Sequence, residues 1–398
     1  MNKYGFHKYQ LNSLYALILS VLLTSCNSKD KNVATFKDDY SFEIIDTLKI
    51  KHLGRGIELI DVNKTNGDML FTSAIRMDTI VQTDSNGNIK NKIKVSGEGG
   101  SEIGFIFNLS YIGDTAILIN SNRGFFFYDL NGKALKGKAI IEKTSLKTLG
   151  SNTFNPSIAS IKTDTGIVLA LQLKNSLNDY QLSNIHSKES YQNYKSLTFY
   201  SLDKHKYINA LGFEPESIFM DFDYHYGDIN TLFVFNQFNK CFYTLHDPDS
   251  KLYKYDVSLK KIKVIDLEPE NFKLPIKYNF SKNSTSSKHM DVNSSYVYFS
   301  TNRDISIVTY RTGIPEDEYN KTNSESEIPE LWKKYMKYYA LILIDDNKVC
   351  NDVPLPYGAV GVTNIIGGSN MILSTNPAIT ETPDATIFYR CKLKINKK

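Results

Sequence analysis

Asp221, Asp223 and His225 occupy alternate positions in the stretch Asp-Phe-Asp-Tyr-His. In a strand, alternate side chains share one face, so this spacing would set two carboxylates and an imidazole side by side, a donor set that suits a divalent metal. A solvated strand edge accounts for the same residues. None of the seven histidines stands in an H-x-x-x-H pair. A second pattern lies in the arginines, of which there are only six. Arg76, Arg123 and Arg311 each end an apolar run that reads as the second strand of a repeating unit, and Lys174 and Lys240 hold the same place in two further units. A guanidinium there grips a carboxylate or sulfate through paired hydrogen bonds. The expected ligand is anionic: an acidic glycan or a peptide terminus.

Other chemistries find no support. The glycines at 97–104 lack the Lys-Ser/Thr ending of a phosphate loop, and no helical pattern follows them. Asp61-Val62-Asn63 and Asp84-Ser85-Asn86 begin like calcium loops but have neither the glycine nor the final glutamate in place; both read as turns. There is no G-x-S-x-G elbow, no repeated sialidase box, and a single tryptophan rules out the docking motifs of quinoproteins. No cofactor is expected, and the chain reads as a binding module before an enzyme. The net charge of +4 falls to +2 once Lys3 and Lys8 are removed with a leader, far from the basic face that nucleic acid demands.

The leader is visible at the start of the chain. Lys3 and Lys8 precede the apolar run Leu14–Leu23, which is too short to span a bilayer, a task for roughly 20 residues, and suits a signal peptide. Leu23-Thr24-Ser25-Cys26 resembles the lipobox of bacterial lipoproteins. The resemblance implies a signal peptide over 1–25, a diacylglycerol on the Cys26 thiol, acylation of the new amine, and attachment to a membrane. Two or more chains hold stably where one does not. Asn27 in place of aspartate favours the outer membrane, with the periplasmic and surface sides both open. Residues 26–40 form the lipidated cysteine and a polar tether. Cys241, Cys350 and Cys391 remain, either as one disulfide and a thiol or as three buried thiols. Oligomeric state is not legible.

Residues 41–398 read as all-β. Short runs of Ile, Val, Phe, Tyr and Thr alternate with Asn, Asp, Gly and Ser clusters, and 26 tyrosines with 22 phenylalanines suit pleated, half-buried surfaces. One phrase recurs: an apolar strand, aspartate, a polar turn, lysine, a second strand. It appears at Asp84, Asp129, Asp203, Asp256 and Asp345. A hairpin joining the two outer strands of a four-stranded blade produces it once per blade. A sixth blade fits 363–394, closed by the strand at 41–49, which ties the termini and removes an open edge. The expected fold is a six-bladed β-propeller, with seven blades as the other division. Insertions fall at 175–194 and 312–337, the latter holding a helix that starts at Pro329 and carries Leu331, Trp332, Tyr335, Met336 and Tyr339 on one side.

The run Gly97-Glu98-Gly99-Gly100-Ser101-Glu102, followed by NLSYIGDTAILIN and FFFYDLNGKAL, resembles the blade signature of the six-bladed, TolB-like propeller lipoproteins of the Bacteroidota. That resemblance is clearest over residues 55–140. It implies fold and compartment and brings no established activity. The expected function is an envelope-anchored binding or scaffolding module; the alternative is a metal-dependent propeller enzyme, lactonase-like or lyase-like.

Overall fold

The computed structural model describes residues 38–51, 57–73, 79–94, 103, 106–121, 124–135, 158–163, 166–171, 194–221, 224–225, 230–274, 278–279, 291–322, 324–380 and 385–397. Cys26 and its leader, Arg76, Arg123, Lys174, Asp223, the glycines at 97–104 and all of the first insertion except Tyr194 lie outside them.

Strand β1 (Asp38–Lys51) belongs to the last blade. The first blade is β2 (Ile57–Val62), β3 (Met69–Ser73), β4 (Thr79–Thr83) and β5 (Ile89–Lys94). The second is β6 (Ile106–Ile112), β7 (Ala116–Ser121) and β8 (Gly124–Asp129), with Ala134 bridging to Tyr128 where a fourth strand would run. The third is β9 (Ile158–Thr163), β10 (Gly166–Leu171), β11 (Leu197–Ser201) and β12 (Lys206–Leu211). A short strand, β13 (Tyr224–His225), precedes the fourth blade: β14 (Asn230–Asn236), β15 (Cys241–Asp247), β16 (Lys251–Asp256) and β17 (Lys261–Asp266). Strand β18 (Tyr278–Asn279) pairs with β13. The fifth blade is β19 (Ser295–Asn302), β20 (Ile305–Arg311), β21 (Tyr338–Ile344) and two short outer pieces, β22 (Asn347–Lys348) and β23 (Val353–Pro354). The sixth is β24 (Ala359–Gly367), β25 (Asn370–Thr375), β26 (Ala385–Lys397) and, outermost, β1. Every pairing is antiparallel, and the sheets form a six-bladed propeller, as the recurrent phrase predicts. Closure is also as expected: β1 pairs with β26 from Asp38 opposite Lys397 to Lys51 opposite Ala385.

The phrase has a local cause. The Asp84 carboxylate accepts the backbone N–H of Asn86 and Asn88 at 2.8 and 2.9 Å, and Asp129 does the same for Asn131 and Lys133. Asp256 repeats it with Ser258 and Lys260. A carboxylate that satisfies two turn donors nucleates the hairpin between third and fourth strands. Gly87 and Gly132, at φ 88 and 78, supply the left-handed residue the first two turns require.

Apolar clusters fill the space between neighbouring blades. Strand β21 shows how: Ala340 and Ile342 face the sixth blade, while Leu341 and Leu343 face the fourth. Both faces of a blade are covered, so its middle strands read as continuous apolar runs instead of alternating ones. Leu48, Ile50, Ile372 and Phe388 of the sixth blade meet Leu59, Met69 and Phe71 of the first, which seals the ring without a free sheet face.

First strands line the centre, where β2, β6, β9, β14, β19 and β24 begin their blades. Turns from first to second and from third to fourth strand come out at one end, called the turn face. Among the described residues they are short, as at 63–68, 84–88, 303–304 and 345–346. Connections from second to third strand and from blade to blade leave from the other, the loop face; their described parts include 212–221, 267–274, 312–322, 324–337 and 376–380. The insertion at 312–337 therefore departs from the loop face. It holds α1 (Glu316–Asn320) and α2 (Ile328–Tyr335); α3 (Pro377–Thr380) lies in the sixth blade's loop. Helix α2 does contain Pro329 in its first turn but stops at Tyr335, where Met336 turns extended at ψ 121. Tyr339 belongs to β21, because the run Tyr-Tyr-Ala-Leu-Ile-Leu-Ile is a buried strand that overrides helical spacing.

Candidate functional site

Among the described residues, polar groups of the loop face run from the seam of the fourth and fifth blades past the sixth to the first strand of the first. Arg311 ends β20, the second strand of its blade, as the spacing predicts, opposite Ser295 of β19 and Tyr338 of β21. It does not stand alone. Asp247, the last residue of β15, accepts the Ser295 hydroxyl at 2.6 Å and the Tyr296 N–H at 3.0 Å. Burial pushes its carboxyl up to about 6, against the pull of those two donors and of the Arg311 charge. Asp291 accepts the Trp332 indole N–H at 3.0 Å; burial raises it too, with Trp332, Arg311 and Tyr319 opposing. An Arg311 N–H also points at the Met336 sulfur, 3.7 Å away. One guanidinium thus serves two carboxylates, and helix α2 is stapled to the ring through its tryptophan.

From Arg311 a line of polar groups runs to the funnel. Burial raises the Tyr338 phenol, and Arg311 draws it back. Tyr298 of β19 is buried; burial raises its phenol, a hydrogen bond with the Ser374 side chain opposes, and the negative ends of Glu58 and Tyr338 raise it further. Glu58, the second residue of β2 and opposite Thr72, is half-buried. Burial alone raises its carboxyl, and no cation among the described residues lowers it. Thr72 Oγ1 beside it is buried without a hydrogen-bond partner. Gly361 of β24 makes room for the Tyr298 ring, since a Cβ there would sit 1.8 Å from it. Tyr357, 83 % exposed, lies in the connector from β23 to β24, which passes Tyr338 where the Leu355 N–H donates to the Tyr338 carbonyl at 3.0 Å. Of these groups Tyr357 presents an open aromatic ring, of the kind that stacks on apolar ring faces, and Glu58 a half-buried carboxylate that can accept from hydroxyl groups.

Sequence reasoning reached Arg311 and missed Glu58, Tyr298, Tyr338 and Tyr357. The available signal was Glu58 itself, a carboxylate set within the apolar run Ile-Glu-Leu-Ile.

Two expectations are corrected. Lys240 does not share the place of Arg311: it lies between β14 and β15, at φ 48, on the turn face. Nor do Asp221 and His225 share a strand. Asp221 caps the 3-10 turn Ile218–Met220 at φ −78, ψ 86, and His225 sits in the two-residue β13. The Ser217 side chain accepts the Phe219 N–H and starts that turn, which breaks the alternation. Among the described residues, no group of three His, Cys, Asp or Glu side chains is placed to hold a metal. Cys241, Cys350 and Cys391 are free and buried, which resolves the choice in favour of thiols.

No family model matches the chain, and no curated protein matches it by sequence. Solved structures do match in fold. A member of the DUF4221 family from Bacteroides vulgatus superposes with a TM-score of 0.66 at 14 % identity, over 90 % of this chain and 99 % of its own. A protein described as exported, from Bacteroides fragilis, gives a TM-score of 0.54 at 11 % identity, over 89 % and 96 %. At such identities the likeness is one of fold: a six-bladed propeller with structural neighbours in Bacteroides.

Proposed function

We propose that the chain is an envelope-anchored binding module that takes a glycan bearing an acidic group on its loop face. The observation that carries this reading is the asymmetry of the ring. Among the described residues the turns of the turn face are short, whereas the loop face holds the longer connections and the groups Arg311, Tyr338, Tyr298 and Glu58. Rigid rings that present long segments on one side put recognition there. Tyr357 supplies a stacking ring and Glu58 an acceptor for sugar hydroxyls. The acidic group falls to the arginines at second-strand ends: Arg76, Arg123 and Arg311. Arg311 shares its charge with Asp247 and Asp291, so most of that task rests on Arg76 and Arg123.

Calorimetric titration with a panel of acidic and neutral glycans tests the reading. Tyr357→Ala and Glu58→Gln are expected to weaken every ligand about ten-fold, and Arg123→Ala only the acidic ones. Equal affinity of wild type and all three variants would overturn it.

The proposed location is the outer membrane, through lipid on Cys26. Palmitate labelling that persists in Cys26→Ser would refute the anchor.

A further inference from the structure

The turn-face end of the funnel carries a group that the loop-face reading does not use. Lys64 follows β2 in the turn at 64–66, at the seam where the first and sixth blades close the ring. Its amine donates to the side-chain oxygen of Asn364 on β24, the innermost strand of the sixth blade. An ammonium has three donors, and among the described residues this neutral amide is the one acceptor it meets.

The nearest carboxylate is already committed. Asp61 gives Oδ1 to the Val62 N–H at 2.8 Å and Oδ2 to the Ser110 hydroxyl and the Tyr111 N–H, at 2.9 and 2.8 Å. It acts on Lys64 from a distance and forms no ion pair with it. A desolvated ammonium with one neutral acceptor and no contact ion pair is costly, and losing its proton relieves the cost. Burial accordingly pulls the Lys64 amine down to about 8, with Asp61 opposing. The residue as a whole is only half-buried.

We propose that Lys64 is a nucleophilic amine that condenses reversibly with the carbonyl group of small aldehydes, of which open-chain reducing sugars are one class. The amine lone pair attacks the carbonyl carbon and forms the C–N bond, while the oxygen takes up a proton. Loss of that oxygen as water, with the remaining amine proton, leaves the imine; water reverses the step. Desolvated lysines elsewhere do this chemistry for the same physical reason. At pH 7.5 a group of this kind is about one-quarter neutral, against about one part in a thousand for an ordinary lysine.

The test is reductive trapping. Full-length protein is incubated at pH 7.5 with glyceraldehyde and cyanoborohydride, which reduces each imine to a stable amine, and labelled lysines are mapped by mass spectrometry. Lys64 is expected to label at least ten-fold faster than the median lysine, and to fall to the median in urea. Asn364→Asp supplies the missing anion, and is expected to slow Lys64 several-fold at pH 7.5 while the other lysines keep their rates. A lysine that merely braces the two blades would label at or below the median in the folded protein, and that result overturns the proposal. Should Asn364→Asp not fold, the wild-type rate at Lys64 decides alone.

Discussion

Asn in place of Asp247 should stabilise the ring, and should do so more strongly as pH rises. Asp247 closes the seam between the fourth and fifth blades, and its carboxyl stands at about 6 against an ordinary 3.8. A shift of about 2 units is worth about 3 kcal/mol between the protonated and ionised forms. The sign follows from proton binding. Between pH 4 and 6 the folded protein holds a proton on this carboxyl that the unfolded chain has released, so stability falls as pH rises through the window. Below the unfolded value the contribution is complete; above 6 it is lost.

Asparagine mimics the protonated acid. Its oxygen can accept the Tyr296 N–H now bound by Oδ1, and its amide can donate to the Ser295 hydroxyl now bound to Oδ2. The attraction to Arg311 disappears, but Asp291 still faces that guanidinium. Urea unfolding of wild type and Asp247→Asn should therefore give similar free energies at pH 4.5, and at pH 7.5 a variant more stable by about 1–3 kcal/mol. Taking the difference cancels titrating groups not coupled to Asp247, such as Glu58, whose raised value tilts wild-type stability the same way. A gap that stays constant from pH 4.5 to 7.5, or that closes as pH rises, would refute burial as the dominant influence on Asp247.

Three further outcomes follow from packing. Gly361→Ala drives a methyl group to within 1.8 Å of the Tyr298 ring; thermal melting should show a loss of about 1–3 kcal/mol, largely recovered when Tyr298 is also made leucine. Leu48→Ala opens the apolar seam between the sixth and first blades and should cost about 2–5 kcal/mol in urea, whereas Ile45→Ala, at an exposed site on the same strand, should cost under about 0.5 kcal/mol. Burial pushes the Cys350 and Cys391 thiols up to about 12, so both should resist a thiol reagent at pH 8 in the folded protein and react fully in denaturant.

The propeller was legible in the sequence because its repeat rests on short-range devices. An aspartate that binds turn donors two and four residues ahead acts within one hairpin, so it leaves a mark at Asp84, Asp129 and Asp256 whatever the rest of the chain does. The same holds for strands covered on both faces, which appear as apolar runs. The site was less legible because it depends on which blades become neighbours. Glu58 and Tyr298 lie 240 positions apart, and only closure of the sixth blade onto the first brings them within electrostatic reach. Asp221 and His225 failed for the opposite reason: their alternation presumed a strand where Ser217 starts a 3-10 turn.

Closure also bears on where the unusual groups of the first blade sit. The sixth blade joins strands from the two ends of the chain, β26 to β1, and its innermost strand β24 lies beside β2 at the junction with the first blade. Apolar packing by Leu48, Ile50 and Phe388 holds it from the outside. Its inner side can then carry groups that contribute little to stability. Lys64, at that seam, has only an amide among the described residues, and Glu58, which alternation along β2 turns to the face opposite Ile57 and Leu59, has no counter-ion among them. Each is a cost that the apolar seam offsets, and a fold under selection for stability alone would replace both with neutral side chains. That they sit at opposite ends of one funnel, an acid toward the loop face and an amine toward the turn face, is the reason to assay both ends of the ring.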